Sequence, residues 1–143
     1  LRLVGSEMCI RDRVIGSHPH VVQPMELRRG KEGVTDRLVV YSLGNFISNM
    51  SREHTDGGVM VKVVLGRKGL RRYIASAQYS LIYSSRYKNE QGKEDIRVVP
   101  AAFWLGKNQN SSFSVDSALI KYVNNTRLFF KGNNKEVEEY IFE

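Results

Sequence analysis

Residues 59–83 contain two long runs of β-branched and aromatic side chains, separated by a short glycine-containing segment. The run VMVKVVL (59–65) predicts a strand, residues 66–69 predict a hairpin turn, and residues 70–83 predict the second arm. Three shorter runs of the same character predict further strands at residues 14–16, 37–42 and 96–99. The chain is therefore rich in β structure between residues 14 and 99.

The C-terminal part follows a helical pattern instead. Apolar residues recur at helical spacing from Val115 onward, Ser114 is a suitable N-cap, and Asp116 lies favourably in the first turn. We expect this helix to reach Phe130 and a shorter helix to cover residues 134–142. Together these patterns predict an α/β architecture, which within this chain takes the form α+β.

Composition limits the classes of protein that fit. The chain has 143 residues, 41% of them hydrophobic, which suffices for one ordinary domain, and no run of 18 apolar residues suggests a transmembrane helix. The net charge is +7, and basic residues concentrate at Arg28, Arg29 and Lys31 and at Arg67, Lys68, Arg71 and Arg72. Neither cluster alternates with aromatics as a single-strand binder requires, so we predict no nucleic-acid partner. An anionic polymer or a phosphate-bearing substrate remains compatible with the charge.

The first thirteen residues, LRLVGSEMCIRDR, have neither helical nor strand periodicity and lack the ordered regions of a secretory signal. The string SEMCIRDR resembles translated sequencing-adapter read-through. We therefore expect residues 1–13 to be a non-native leader that can be deleted, and the native protein to extend upstream. Cys9, the single cysteine of the chain, then carries no functional meaning.

Two of the three histidines, His18 and His20, flank Pro19 directly after the first predicted strand. Proline biases the residue before it toward an extended conformation, in which residues two positions apart point to the same side. We therefore expect both imidazoles to face one cleft. Imidazole is the commonest metal ligand near neutral pH, but two histidines supply only part of a coordination shell. The other ligands must be Asp, Glu, Asn or water from elsewhere.

Three segments in order, VIGSHPHVVQP (14–24), VVYSLGNFISN (39–49) and DGGVMV (56–61), resemble the CapA-type poly-gamma-glutamate capsule biosynthesis family. The resemblance implies a fold similar to calcineurin-like metallophosphoesterases, a β-sandwich flanked by helices with divalent metal ions such as Mn, Zn or Fe. Residues 14–110 then form the C-terminal part of that domain and residues 111–143 a helical tail. By the same resemblance His18 contacts one metal ion and His20 the other. This chain has one residue between Gly16 and the first histidine, a variant that the family tolerates.

Three further residues are candidates for the same site. Asn45, in the second motif, either binds phosphate or orients a ligand histidine as part of the catalytic machinery; the alternative is a turn residue in the left-handed conformation. Glu26 and Asp56 are candidate acids in a second shell around the metal, with exposed surface positions as the alternative. His54 lies in a polar loop, and we expect it to be exposed.

The resemblance implies an enzyme fragment: the C-terminal part of a metal-dependent hydrolase that works with the capsule synthesis machinery at the bacterial cell envelope. The remaining metal ligands of the family precede the segment that this chain covers. We therefore expect the chain alone to be inactive. Two alternatives remain open, a non-catalytic envelope or assembly component and a basic polyanion-binding domain without metal.

Overall fold

The computed structural model describes residues 13–30, 33–50, 52–107 and 117–141, and nine elements lie within them. Their order is β1 Arg13–Ile15, β2 Met25–Arg29, β3 Thr35–Val40, β4 Gly57–Lys68, β5 Arg71–Lys88, β6 Glu94–Pro100, α1 Ala101–Lys107, α2 Ser117–Asn133 and β7 Glu138–Glu139. The predicted mixture of sheets with few helices is confirmed. None of the helices in these ranges is both long and apolar enough to cross a bilayer.

Two sheets form the framework. In the first, β3 is central, with β1 parallel to it on one side and β2 antiparallel on the other. In the second, β5 is central between the antiparallel strands β4 and β6, and the short β7 runs parallel to it. Because β1 and β3 are parallel, their carboxyl ends lie at the same sheet edge, and this edge carries the candidate site.

The predicted hairpin is present and longer than expected. Pairing of β4 with β5 continues to Lys68 opposite Arg71, so the predicted turn at residues 66–69 is wrong. Gly66 lies inside the strand, where the ring of Tyr73 occupies the space that a side chain would fill. The turn falls instead at Gly69, whose φ of +61° favours glycine.

One hydrophobic core joins the two sheets and α2. The first sheet contributes Leu38 and Val40, and the second contributes Tyr79 and Leu81. The buried face of α2 consists of Leu119, Tyr122, Val123, Thr126 and Phe130. This spacing of three, one, three and four residues is that of one helical face. The helix predicted in this region is confirmed from Ser117 onward, while its predicted cap at Ser114 lies outside the described residues.

Two local predictions differ from the structure. No helix was predicted at Ala101–Lys107, where Ala101 and Ala102 are buried directly after β6. The helix predicted at residues 134–142 is wrong for the described positions, which form irregular chain and the strand β7. The cause is pairing with distant strands: the Lys135 amide donates to the Met25 carbonyl at 2.9 Å, and the Tyr140 amide donates to the Tyr79 carbonyl.

The predicted leader lies mostly outside the described residues. Its last residue, Arg13, begins β1 and pairs with Leu38 of β3. A deletion that preserves this strand therefore ends at residue 12. The predicted boundary between residues 110 and 111 also lies outside the described ranges.

Candidate functional site

The turn after β1 is held against the end of β3 by Gly16. Its amide donates to the Val40 carbonyl at 2.8 Å, and its carbonyl accepts from the Leu43 amide at 2.8 Å. A side chain at this position would lie 2.4 Å from the Tyr41 carbonyl oxygen. Glycine therefore allows the histidine segment and the segment after β3 to lie side by side.

The histidine segment is a tight turn, so the predicted extended conformation of residues 18–20 is wrong. The His20 amide donates to the Ser17 carbonyl at 3.2 Å, which closes the turn. His20 takes a φ of +60°, in the left-handed region. The alternation of side chains along an extended strand does not apply to such a turn. His18 and His20 do follow β1 in a loop, as predicted, and His18 is exposed.

His20 and Asn45, two of the predicted site residues, are in direct contact. The Nδ1 atom of His20 lies 2.9 Å from the Asn45 Oδ1 atom. On its other side, Asn45 donates from Nδ2 to the Thr55 carbonyl at 2.8 Å. Because the amide nitrogen is engaged there, Oδ1 faces the imidazole and accepts a hydrogen bond from Nδ1–H. This arrangement leaves Nε2 of His20 with a free lone pair, the form in which imidazole binds metals.

Asn45 is buried, and the glycine before it takes the left-handed conformation in this turn. Only 7% of the residue is exposed, and Gly44, with a φ of +72°, takes the left-handed position in this turn. The alternative that assigned this conformation to Asn45 is therefore wrong. Met50 also contacts the amide, with its Sδ 3.7 Å from Nδ2. The geometry matches the orienting role, in which a polar partner fixes the tautomer of a ligand histidine.

The third motif supports the second through its glycines. The Asn45 amide donates to the Gly57 carbonyl at 3.1 Å, and the Val59 amide donates to the Leu43 carbonyl at 2.8 Å. A side chain at Gly58 would lie 2.5 Å from the Asn45 carbonyl oxygen and 2.6 Å from that of Leu43. The two motifs thus form one unit that positions Asn45, a role for this glycine pair that sequence analysis missed.

Thr55 is a second residue that sequence analysis missed. It is 4% exposed, and its hydroxyl donates to the Arg52 carbonyl at 2.6 Å. Its own carbonyl accepts the Asn45 amide proton. The polar loop from residue 50 to residue 56 gave no sequence signal for this role, because the contact uses the main chain.

Glu26 lies in a cluster of charged groups and is only 9% exposed, so the surface alternative is wrong for it. Arg28 and the hydroxyl of Tyr41 both donate to Oε1, and Lys135 lies 3.6 Å from Oε2. The hydrogen bond from Arg28, followed by that from Tyr41, lowers the pKa of Glu26. These partners come from β2, the segment after β3 and the segment after α2, so Glu26 joins three parts of the chain.

Asp56 and His54 lie beside a cleft of about 630 Å³. The cleft is lined by Asn49, Met50, Arg52, Glu53, His54, Asp56, Tyr83, Arg86, Ala118, Lys121, Tyr122 and Asn125. Asp56 is half-buried, and its carbonyl accepts from the Ser84 amide at 2.8 Å. His54 is exposed, as predicted, with its Nε2 3.8 Å from a Glu53 carboxylate oxygen. Neither His20 nor His18 lines this cleft, so the structure does not place Asp56 with the histidines.

The sequence resemblance predicts a metal centre at these residues. Among the described residues, no three His, Cys, Asp or Glu side chains lie together in a group that could hold a metal ion. The described residues therefore do not fit a complete metal centre, and the role of His20 as a ligand stays a prediction. The sequence-based assignment of one metal ion to each histidine stays a prediction.

Comparison with known proteins supports the sequence resemblance. Residues 11–50 match the family described as bacterial capsule synthesis protein PGA_cap. The PGA biosynthesis protein CapA of Bacillus subtilis (strain 168) is 32% identical over 62 residues, which cover 43% of this chain and 15% of that protein. No solved structure matches the chain. The predicted CapA-type resemblance is confirmed over this segment, which contains the histidine turn and Asn45.

Proposed function

We propose that this chain is the C-terminal part of a CapA-type protein of bacterial capsule biosynthesis, in which His20 and His18 bind divalent metal ions. The remaining ligands come from parts of the protein that this chain does not contain. The observation that carries the proposal is the contact between His20 Nδ1 and Asn45 Oδ1 at 2.9 Å. An imidazole fixed in this way presents Nε2 to a ligand in one orientation.

The support for His20 comes from how firmly its partner is held. An amide could rotate and offer Nδ2 to the imidazole, which would reverse the tautomer. The hydrogen bond from Nδ2 to the Thr55 carbonyl opposes that rotation. The contact also satisfies the buried oxygen of Asn45, so it stabilises the turn in addition to fixing the imidazole. A ligand histidine gains a fixed direction and a more basic Nε2.

We further propose that the two sheets are the C-terminal part of a metallophosphoesterase-like sandwich. Residues of both sheets, among them Val40 and Leu81, belong to one hydrophobic core. The candidate residues follow the carboxyl ends of the parallel strands β1 and β3. Ligand sites of α/β proteins commonly occupy such an edge.

The proposed substrate is an anionic polymer such as poly-gamma-glutamate, or a phosphate-bearing group, and the proposed reaction is hydrolysis. Support comes from the cleft beside Asp56, where three cations, Arg52, Arg86 and Lys121, outnumber the two acids Glu53 and Asp56. Lys121 lies 3.6 Å from Glu53, so Arg52 and Arg86 are the main candidates to bind an anion. Arg86 is fixed there by Asn49, whose Oδ1 accepts from it at 2.8 Å. Divalent metal in the complete protein would supply an activated water. The residues of this chain contribute position and charge, so we expect the chain alone to show no turnover.

The test uses the complete gene from which this segment derives. We would compare the wild-type protein with His18→Ala, His20→Ala, their double variant and Asn45→Ala, and with Lys93→Ala as a control at an exposed position outside the cleft. The readouts are bound metal by elemental analysis and capsule polymer produced in a deletion strain. We expect the first two variants to lose bound metal and polymer, and Lys93→Ala to retain both. Unchanged metal content in the double variant of His18 and His20 would contradict the proposal.

A further inference from the structure

The net charge of the chain resides on one hairpin. Residues 57–88, which form β4, β5 and their turn, contain no acidic residue and seven basic ones: Lys62, Arg67, Lys68, Arg71, Arg72, Arg86 and Lys88. The rest of the chain contains 15 basic and 15 acidic residues, which balance. The net charge of +7 is therefore a property of this hairpin alone.

Four of the seven cations are at the hairpin tip, which we define as residues 65–72. In the register of β4 and β5, Arg67 lies opposite Arg72, and Lys68 lies opposite Arg71. Like charges directly opposite each other destabilise a pair of strands, because their side chains are close. An anionic surface against the tip would remove this repulsion, since each cation would then approach a negative group.

The tip also presents apolar side chains to solvent. Leu70, at the turn, is 95% exposed, and Leu65 on the adjacent strand is 53% exposed. Arg67 stabilises the turn, since its Nε donates to the Gly69 carbonyl at 2.7 Å. A leucine at the apex of a basic turn is poorly suited to a purely polar partner. It suits the boundary between lipid headgroups and acyl chains, where leucine inserts and basic residues bind phosphates.

We propose that the hairpin tip docks onto an anionic lipid surface, with Leu70 inserted below the headgroups and the four tip cations on lipid phosphates. The inference does not depend on the metal-site proposal, since it uses no residue of that site. From Gly57, beside Asn45, to Lys68 the strand β4 spans twelve residues. At about 3.3 Å per residue, the tip lies about 35 Å along the strand from Asn45. Docking at the tip would therefore leave the candidate site accessible.

The test is flotation of the full 143-residue chain with vesicles of phosphatidylcholine alone or with about one third phosphatidylglycerol. We expect binding only to the anionic vesicles and a decrease with added salt. Each tip cation changed to Gln should weaken binding about fivefold. Leu70→Ser should weaken binding to anionic vesicles as well, although it changes no charge. Circular dichroism and the unfolding midpoint would verify that every variant is folded.

The matched control removes four exposed cations elsewhere, with Arg37, Lys88, Lys93 and Lys131 changed to Gln, so that net charge falls equally. The variant to compare with it has all four tip cations changed to Gln. Docking through the tip is supported if the control variant still binds the vesicles and the tip variant does not. Three results would each overturn the proposal: no binding to anionic vesicles, equal loss in tip and control variants, or full binding by Leu70→Ser. If soluble polyglutamate binds the wild type and Leu70→Ser equally while vesicles do not bind, the tip recognises a soluble polyanion instead.

Discussion

Asn45 Oδ1 lies 2.9 Å from His20 Nδ1, although 25 positions separate the two residues in the chain. The contact arises because β1 and β3 are parallel neighbours, so the loops that follow them leave the sheet at one edge. The glycines at positions 16, 57 and 58 then allow the backbones to approach closely. The side-chain contact in the candidate site thus depends on the pairing of β1 with β3 and on these three glycines.

The first prediction concerns the tautomer of neutral His20. We expect the wild-type chain to carry the proton on Nδ1, because Asn45 Oδ1 can only accept. Asn45→Ala should remove this preference and lower the free energy of unfolding by about 1–3 kcal/mol, since buried polar groups lose their partners. Nitrogen chemical shifts of the imidazole, measured by NMR above pH 8, report the tautomer directly.

Asn45→Asp is the control for this prediction. A carboxylate keeps an acceptor for His20 but cannot donate to the Thr55 carbonyl. We therefore expect the Nδ1 proton to be retained while stability falls. Wild-type protein with the proton mainly on Nε2 would contradict a hydrogen bond from His20 Nδ1 to Asn45 Oδ1.

The second prediction concerns the glycine pair of the third motif. Gly58→Ala should destabilise the chain by more than about 2 kcal/mol, because the added carbon meets two main-chain oxygens that have little freedom to move. Gly132→Ala is the matched control: apart from the adjacent residues and the backbone of its own helix, no atom lies within 4 Å of the added carbon, and the residue lies in the last turn of α2. There alanine should stabilise the chain by about 0.5 kcal/mol. Urea denaturation of both variants measures the difference, and equal stability would refute the proposed close packing at Gly58.

Sequence predicted the elements whose signals are local. The long hairpin was predictable because β-branched and aromatic residues continue through β4 and β5, and α2 because its apolar spacing is helical. The hairpin turn was misplaced because Gly66 was taken as part of it. In the structure Gly66 lies in the strand beneath the Tyr73 ring, and Gly69 supplies the turn.

The features that sequence analysis did not predict depend on contacts between residues far apart in the chain. The C-terminal segment was predicted to be helical, but hydrogen bonds from Lys135 to Met25 and from Tyr140 to Tyr79 hold it in an extended form. In the candidate site, His20 and Asn45 were each identified from motifs, and contact of Asn45 with a histidine was one of the alternatives left open; the structure selects His20 as the partner. Glu26 was considered for the metal site, and its partners Arg28, Tyr41 and Lys135 could be found only from the packing of three separate segments.

The third prediction is a loss of stability in acid through Glu26. Its pKa is lowered from the ordinary value of 4.5, mainly by the hydrogen bond from Arg28 and then by that from Tyr41. Because the pKa of Glu26 is lower in the folded state, its ionised carboxylate stabilises the fold above about pH 4.5. This stabilisation is lost as pH falls through the folded-state pKa. Glu26→Gln should therefore lower unfolding free energy by about 1–3 kcal/mol at pH 7. Wild type and variant should converge in strong acid.

Glu138→Gln, a change at an exposed position of β7, is the control for Glu26. Chemical denaturation at intervals between pH 7 and pH 2 gives both curves. A constant difference between Glu26→Gln and wild type over that range would show that ionised Glu26 is not the source of the stabilisation.

The fourth prediction is a loss of stability in alkali through Tyr79. Burial, followed by the nearby Glu139 carboxylate, raises the pKa of Tyr79 from the ordinary value of 10 to about 12. Because the pKa of Tyr79 is higher in the folded state, the protonated phenol contributes to the free energy of unfolding. This contribution is fully present below pH 10 and is lost as pH rises toward 12. Between these limits wild-type stability should fall more steeply than that of Tyr79→Phe, by up to about 1.4 kcal/mol per pH unit.

Tyr79→Phe suits this measurement because the change keeps the ring that packs edge-on against Phe130, with centroids 4.9 Å apart. Tyr122→Phe gives the contrasting case. Burial also raises the pKa of Tyr122, but its hydroxyl donates to the Gly58 carbonyl at 2.9 Å, so this variant should already lose about 1 kcal/mol at pH 7. Urea unfolding followed by fluorescence between pH 7 and pH 12 separates the two. Parallel curves for wild type and Tyr79→Phe above pH 10 would show that the phenol of Tyr79 ionises as readily in the folded chain as in the unfolded one.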